Sequence, residues 1–167
     1  GLTLGSAQTV AQIRQRRILF ALGTVALVLA TALGFLTFQQ NKQWRDPVTF
    51  YENILRYGDK SMSLYNNLGM AYADRGEHKK AIDQYRAAIE LSDTFAQPHH
   101  NIARTLLGMP DAKKHLPEAI AELEKAIAIN PSFYQSYALL AEIYEQTGEP
   151  SKALTYRQRA HAILDAR

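Results

Sequence analysis

The chain has 167 residues, of which 47% are hydrophobic and 21% are charged, with a formal net charge of +3 and no cysteine. This length accommodates about one soluble domain and one further element, so it excludes two catalytic domains. The lack of cysteine excludes disulfides, thiolate metal sites and cysteine nucleophiles.

The basic excess lies in the first part of the chain. Residues 1–60 contain seven Lys or Arg and three Asp or Glu. The remaining residues contain twelve Lys or Arg and thirteen Asp or Glu. The C-terminal part therefore offers no basic face to a phosphate backbone, and we expect no nucleic-acid partner. The positive charges of the first part flank an apolar segment, as Lys and Arg do beside a membrane span.

This apolar segment runs from Ile18 to Phe38 without a charged residue. As a helix it would be about 30 Å long, which is the thickness of a bilayer core. We predict a short basic flank over residues 1–17, then a transmembrane helix in contact with lipid and its interface anchor over residues 18–43. A cleaved signal peptide is the alternative, because residues 30–32 resemble a cleavage site, but the apolar run continues past them.

The arginines before this segment predict its orientation. Arg14, Arg16 and Arg17 stand together at one end, whereas the basic residues after the segment are more dispersed. Under the positive-inside rule this predicts a single-pass protein with its N-terminus in the cytoplasm and its C-terminal part outside, in the periplasm or its equivalent.

Small residues recur within the apolar segment at every fourth position, at Ala26, Ala30 and Gly34. Such a stripe lets a second membrane helix approach closely, so we predict helix packing there. Ala and Gly are also common in membrane helices that make no such contact.

After Trp44 the pattern changes to amphipathic helices separated by short turns, and no strand-like alternation occurs, so the fold class is all-α. Self-comparison of the sequence shows a period of about 34 residues. The clearest unit spans residues 62–95 and resembles the tetratricopeptide repeat (TPR). Its matching positions are Tyr65, Leu68, Gly69, Tyr72, Gly76, Ala81, Tyr85 and Ala88.

Two further units follow the same pattern, over residues 96–133 and 134–167. In the unit 96–133, the turn between the two helices is about four residues longer than the usual TPR turn. We expect an extended loop there, after which Pro117 restarts the helix. The last unit departs from the pattern at Arg157, where an aromatic residue is usual. Residues 44–61 are interpreted as a linker helix that forms half a repeat.

The resemblance implies a right-handed solenoid of helical hairpins that holds other proteins. We therefore expect a membrane-anchored scaffold, assembly factor or accessory subunit of a membrane complex. Around Trp44 the sequence also resembles polytopic membrane proteins with TPR tails, including O-mannosyltransferase-like enzymes, so the C-terminal tail of a glycosyltransferase-like protein is the alternative. A purely structural subunit of a large complex is a third reading.

The resemblance also implies a partner groove along the first helix of each repeat. Asn67 and Asn101 occupy the same groove position in successive repeats, which resembles the asparagine ladder of peptide-binding TPR proteins. A side-chain amide both donates and accepts, so it can bind the backbone of an extended partner segment. The expected groove residues are Asn67, Met70, Asp74, Gln97, His100, Asn101, Arg104, Gln135, Glu142 and Glu145.

We find no pattern that indicates catalysis. His99 and His100 are adjacent, and adjacent helical positions point about 100° apart, so both cannot face one metal ion. No glycine-rich phosphate loop, nucleophile elbow or zinc spacing occurs. We therefore expect no enzyme, no cofactor and no metal site.

Membrane insertion of residues 18–38 is tested by alkaline carbonate extraction of membranes from cells that express the chain. Because the segment carries no charge, we expect the intact chain to remain in the pellet. A chain released intact into the supernatant would contradict the predicted span.

Overall fold

The structure, a computed structural model, describes the backbone of residues 3–44, 46–58 and 60–166 and most side chains from Arg14 onward. The chain divides into two compact units, Gly1–Asp46 and Pro47–Arg167. The described residues form eight α-helices and no strand. These are α1 (Thr3–Trp44), α2 (Pro47–Tyr57), α3 (Met62–Asp74), α4 (His78–Leu91), α5 (Ala96–Leu107), α6 (Ala112–Ile129), α7 (Tyr134–Gln146) and α8 (Pro150–Asp165).

Within the first unit, the described residues 3–44 form the single helix α1. By length and composition, its segment Arg14–Phe38, with a mean hydropathy of 2.4 and no buried residue, could cross a membrane once. The hydroxyl groups of Thr24, Thr31 and Thr37 donate to backbone carbonyls one turn earlier, which satisfies them within the helix. Residues 3–17 of the predicted basic flank belong to this helix, and residues 1 and 2 lie outside the described residues. The side chains of the predicted interface anchor, residues 39–43, also lie outside the described part.

The small residues Ala26, Ala30 and Gly34 are exposed on α1. A Cβ atom built on Gly34 would meet no atom within 4 Å, so the space beside it is open. Packing of a second helix on this stripe stays a prediction.

The second unit is a stack of three helical hairpins, α3/α4, α5/α6 and α7/α8, preceded by α2. Helix α2 buries Val48 against the stack, and its Glu52 carboxylate accepts a hydrogen bond from the Tyr72 hydroxyl of α3. Burial and this carboxylate raise the pKa of Tyr72 to about 12. Helix α2 therefore packs on the first hairpin through both apolar and polar contacts.

The first and last hairpins turn through the same glycine motif. Gly76 and Gly148 have φ angles of 74° and 79°, which favour glycine because a Cβ atom would be strained there. The amides of Glu77 and Glu149 donate to the carbonyls of Tyr72 and Tyr144 at 2.9 and 2.8 Å, as in a Schellman motif.

The middle hairpin turns differently, and here two sequence predictions are wrong, the extended loop and the restart of the helix at Pro117. Only residues 108–111 separate α5 from α6. Helix α6 begins at Ala112, so Pro117 lies inside the helix and does not restart it. The carboxylate of Asp111 lies 3.3 Å from Nε2 of His115, and this contact stabilises the first turn of α6. The proline therefore removes only one backbone hydrogen bond near the start of an 18-residue helix.

Close approach of the paired helices depends on small residues. A Cβ atom on Gly69 of α3 would lie 2.5 Å from Cε1 of Tyr85, whose ring in α4 is fully buried. The ring is held on all sides, so it cannot move aside cheaply.

Gly69→Ala is expected to lower the free energy of unfolding by about 1–3 kcal/mol, because overpacking outweighs the better helix propensity of alanine. Chemical denaturation followed by circular dichroism measures this change. Gly108→Ala is the matched control, because its Cβ would lie 3.4 Å from the nearest atom, the carbonyl oxygen of Thr105. Equal stability of the two variants would contradict a close approach at Gly69.

Candidate functional site

The first helices of the three hairpins, α3, α5 and α7, form the surface that we call the first-helix face. All ten predicted groove residues lie on these helices, but they differ in exposure. Asp74, Arg104, Glu142 and Glu145 are exposed, Asn67, Met70, Gln97 and Gln135 are half-buried, and His100 and Asn101 are buried.

Asn101 is engaged inside the protein. Only 1% of its surface is exposed, and its Nδ2 donates to Oδ1 of Asn66 in α3 at 2.9 Å. Asn66 is also buried, and its own Nδ2 lies 3.7 Å from Sδ of Met70. The sequence predicted that Asn101 binds a partner in the groove, but the structure buries it, because its amide links α5 to α3.

Asn66 was not predicted as a site residue, because its partner in α5 does not stand at the equivalent repeat position. Asn66 and Asn101 are 35 residues apart, one more than the repeat period. The pair of adjacent asparagines at Asn66 and Asn67 was the available signal, since neighbouring helical positions point in different directions.

His100 forms the corresponding link between α5 and α7. Its Nδ1 lies 3.2 Å from Oγ of Ser136, which is fully buried, and its ring meets Phe133 edge to face. Burial, and to a lesser extent the charge of Arg104, lower the pKa of His100 to about 4. The imidazole is therefore neutral at neutral pH and joins the two helices as a buried polar group.

A second buried polar cluster lies between α5 and α6. Nδ1 of His99 is 2.6 Å from Oε2 of Glu122, and Nζ of Lys125 is 2.7 Å from Oε1 of the same carboxylate. Although burial opposes it, hydrogen bonding to His99 and Lys125 leaves the pKa of Glu122 below its usual value. Among the described residues, no three His, Asp or Glu side chains converge in a way that could hold a metal ion.

An open cleft of about 550 Å³ lies where the middle hairpin meets α7. Its apolar wall comes from Leu107, Leu116, Leu139 and Ile143. Ile143 is buried, whereas the three leucines are half-buried and so keep part of their apolar surface in contact with solvent. We call this site the loop cleft; its rim residues are Lys113, Glu142, Gln146 and Thr147, all of them exposed.

The loop cleft follows from the lengthened start of α6, because the residues that the middle hairpin has in excess of its neighbours are mostly helical. Helix α6 has 18 residues, compared with 14 in α4 and 16 in α8, and its added first turns carry Lys113 and Leu116. Neither Lys113 nor Glu142 forms an ion pair with a described residue. The cleft therefore combines exposed apolar surface with one unpaired charge of each sign, and its volume falls in the usual range for ligand pockets.

Comparison with protein families identifies the repeats. Two tetratricopeptide-repeat models match the chain, at residues 63–95 and 122–155. The chain therefore contains TPR units, and the second match begins in α6 and ends in α8.

Curated relatives resemble only part of this chain. The photosystem I assembly protein Ycf3 of Acaryochloris marina is 37% identical over 68 residues, which make up 41% of this chain and 38% of that protein. The chain spans between 9% and 38% of the length of the curated relatives that it matches.

Solved structures support the fold. The crystal structure of MamA has a TM-score of 0.62 and 25% identity, and the similarity covers 71% of this chain and 67% of MamA. YrrB, a TPR protein described as having an unusual peptide-binding site, has a TM-score of 0.59 and 18% identity over 75% of this chain and 63% of YrrB. The second unit is thus a TPR solenoid of helical hairpins.

Asn101→Ala is expected to lower the free energy of unfolding by about 1–3 kcal/mol, because the buried amide of Asn66 loses its partner. Asn67→Ala, at the neighbouring half-buried position, serves as the control and should change stability by less than about 0.5 kcal/mol. Both values come from denaturant titration. If the two variants were equally stable, the link between Asn66 and Asn101 would not contribute to folding.

Proposed function

We propose that this chain is a membrane-anchored scaffold that binds a segment of another protein along its first-helix face, with the loop cleft as the main anchoring point. The observation that carries this proposal is the cleft, in which three half-buried leucines stand open beside two unpaired charges. Apolar surface of this kind gains free energy when a partner side chain covers it.

The rest of the first-helix face suits an extended segment. Asn67 and Gln97 are half-buried amides, and Asp74 and Arg104 are exposed charges on the same two helices, α3 and α5, so this face offers both donors and acceptors. The buried links at Asn101 and His100 hold α3, α5 and α7 together, which reduces the loss of conformational freedom on binding. In this proposal Asn67 contacts the partner backbone, whereas Asn101 supports the face from within.

The likeness to an assembly protein over 68 residues supports the class of function but not the identity of a partner. We propose that residues 18–43 anchor the chain in lipid, with residues 1–17 as a basic flank and residues 44–61 as a linker. The three repeats at residues 62–95, 96–133 and 134–167 would then lie outside the cytoplasm. No observation on the described residues favours the glycosyltransferase-like alternative, which stays a prediction.

Leu139→Asn tests this function, because it places a polar side chain in the wall of the loop cleft. The full chain is purified in mild detergent, bound proteins are identified by mass spectrometry, and the affinity of the main partner is then measured. Loss of one apolar contact should weaken binding by about 1–3 kcal/mol, or roughly fivefold to 150-fold.

Leu154→Asn is the matched control, because Leu154 is 53% exposed on α8 and lies away from the cleft. We expect this variant to bind the partner as the unchanged chain does. Thermal unfolding must show that both variants are folded. Full affinity of a folded Leu139→Asn variant would show that the partner binds elsewhere.

A further inference from the structure

Helix α2, the first helix after the apolar segment, has two different faces. On one face, Val48 is 3% exposed and Leu55 is half-buried against the core of the stack. Each helical residue advances by about 100°, so Phe50, Asn53 and Tyr57 fall within an arc of about 60° on the opposite side of the helix. We call these three residues the outer face of α2.

The outer face carries the aromatic side chains that this unit exposes. Among the described residues 46–58 and 60–166, Phe50 and Tyr57 are the exposed Phe, Tyr or Trp residues, with 37% and 82% of their surface accessible. The Phe50 ring meets the Tyr51 ring edge to face at 5.2 Å, which fixes its direction. Aromatic rings with a polar end, as in tyrosine, are enriched where a membrane meets water.

The charges of α2 also suit a lipid surface. Arg56 is exposed on the last turn, next to Tyr57 in the chain. Glu52, the one acidic residue of this helix, accepts a hydrogen bond from Tyr72 of α3 and so lies on the side of the stack. Within α2, a guanidinium and no carboxylate therefore borders the outer face, and a guanidinium binds the phosphate of a lipid headgroup.

The chain between the apolar segment and α2 is short. The candidate span ends at Phe38, α1 continues to Trp44, and three residue steps lead from there to Pro47. Six helical residues and three extended ones reach about 20 Å at most. Once the span is inserted, α2 thus begins close to the headgroup layer, and a short tether gives even a weakly binding face a high effective concentration at that surface.

We propose that α2 lies on the phospholipid surface, with Phe50 and Tyr57 in the headgroup layer and Arg56 at the lipid phosphates. This inference rests on the proposed membrane anchor. The opposite face of α2 stays packed on the first hairpin, so docking requires no unfolding and holds the stack at the surface in one orientation. The outer face shares no residue with the loop cleft, which stays available to a protein partner.

The test places a reporter on the outer face. The chain contains no cysteine, so Asn53→Cys provides a single site for an environment-sensitive fluorophore. The labelled full chain is reconstituted into phospholipid nanodiscs, and quenching by aqueous iodide is measured. We expect the emission at position 53 to shift to the blue and iodide quenching to be almost lost, whereas a reporter at Leu154→Cys, on an exposed residue of α8, is quenched freely.

Tyr57→Asp, added to the chain labelled at position 53, tests the contact itself. It places a carboxylate where the ring meets lipid, so we expect iodide quenching to return. Folding should be unaffected, because Tyr57 is 82% exposed, and thermal unfolding checks this. Leu91→Asp is the matched control, since Leu91 is 49% exposed on α4, and it should leave the reporter protected.

The outcomes separate this inference from the membrane anchor on which it rests. A chain that does not migrate with the nanodiscs would overturn both. If an inserted chain is quenched equally at positions 53 and 154, or if Tyr57→Asp leaves position 53 protected, only the docking of α2 is overturned. Protection that requires two chains in one disc, or an added protein that was purified with the chain, would assign the outer face to a second copy or to a protein partner and so overturn its assignment to lipid.

Discussion

The architecture depends on the close approach of paired helices at small residues. Ala81, Ala119 and Ala153 stand at the same position in the three hairpins, and each is at most 3% exposed. A larger side chain at such a point would push the helices apart, and because each hairpin packs on the next, the displacement would pass along the stack. The positions of the helix faces that partners can reach are therefore determined by the contacts that the same helices make inside the stack.

The loop cleft shows how a local change in this repeating plan creates a binding surface. The middle hairpin lacks the positive-φ glycine that turns its neighbours tightly, and its chain continues through Met109 and Pro110 before α6 begins. The lengthened α6 places Leu116 beside Leu107 and Leu139, which no described helix covers completely. The apolar surface between α6 and α7 thus arises where the middle hairpin departs from the repeat period.

The sequence predicted the helices and the glycine turns because both depend on local residue chemistry. Gly76 and Gly148 needed a conformation that only glycine adopts readily, and the spacing of apolar residues fixed the helical faces. The burial of Asn101 was not predictable from repeat position, because it depends on Asn66 of a neighbouring helix and on the stacking angle between the two. The prediction for Pro117 was wrong because a proline is tolerated near the start of a helix beyond its first residue, and α6 begins five residues earlier, at Ala112.

Polar links between successive first helices limit how the stack can slide. A buried amide or imidazole is costly unless its partner is in place, so the Asn66–Asn101 and His100–Ser136 contacts favour one stacking register over shifted alternatives. Asn66 and His100 occupy the same repeat position, and the third residue of this series is Ala138, which offers no such link. The register of the three first helices is thus selected at the two junctions between them, where a buried polar group of one helix meets a buried polar group of the next.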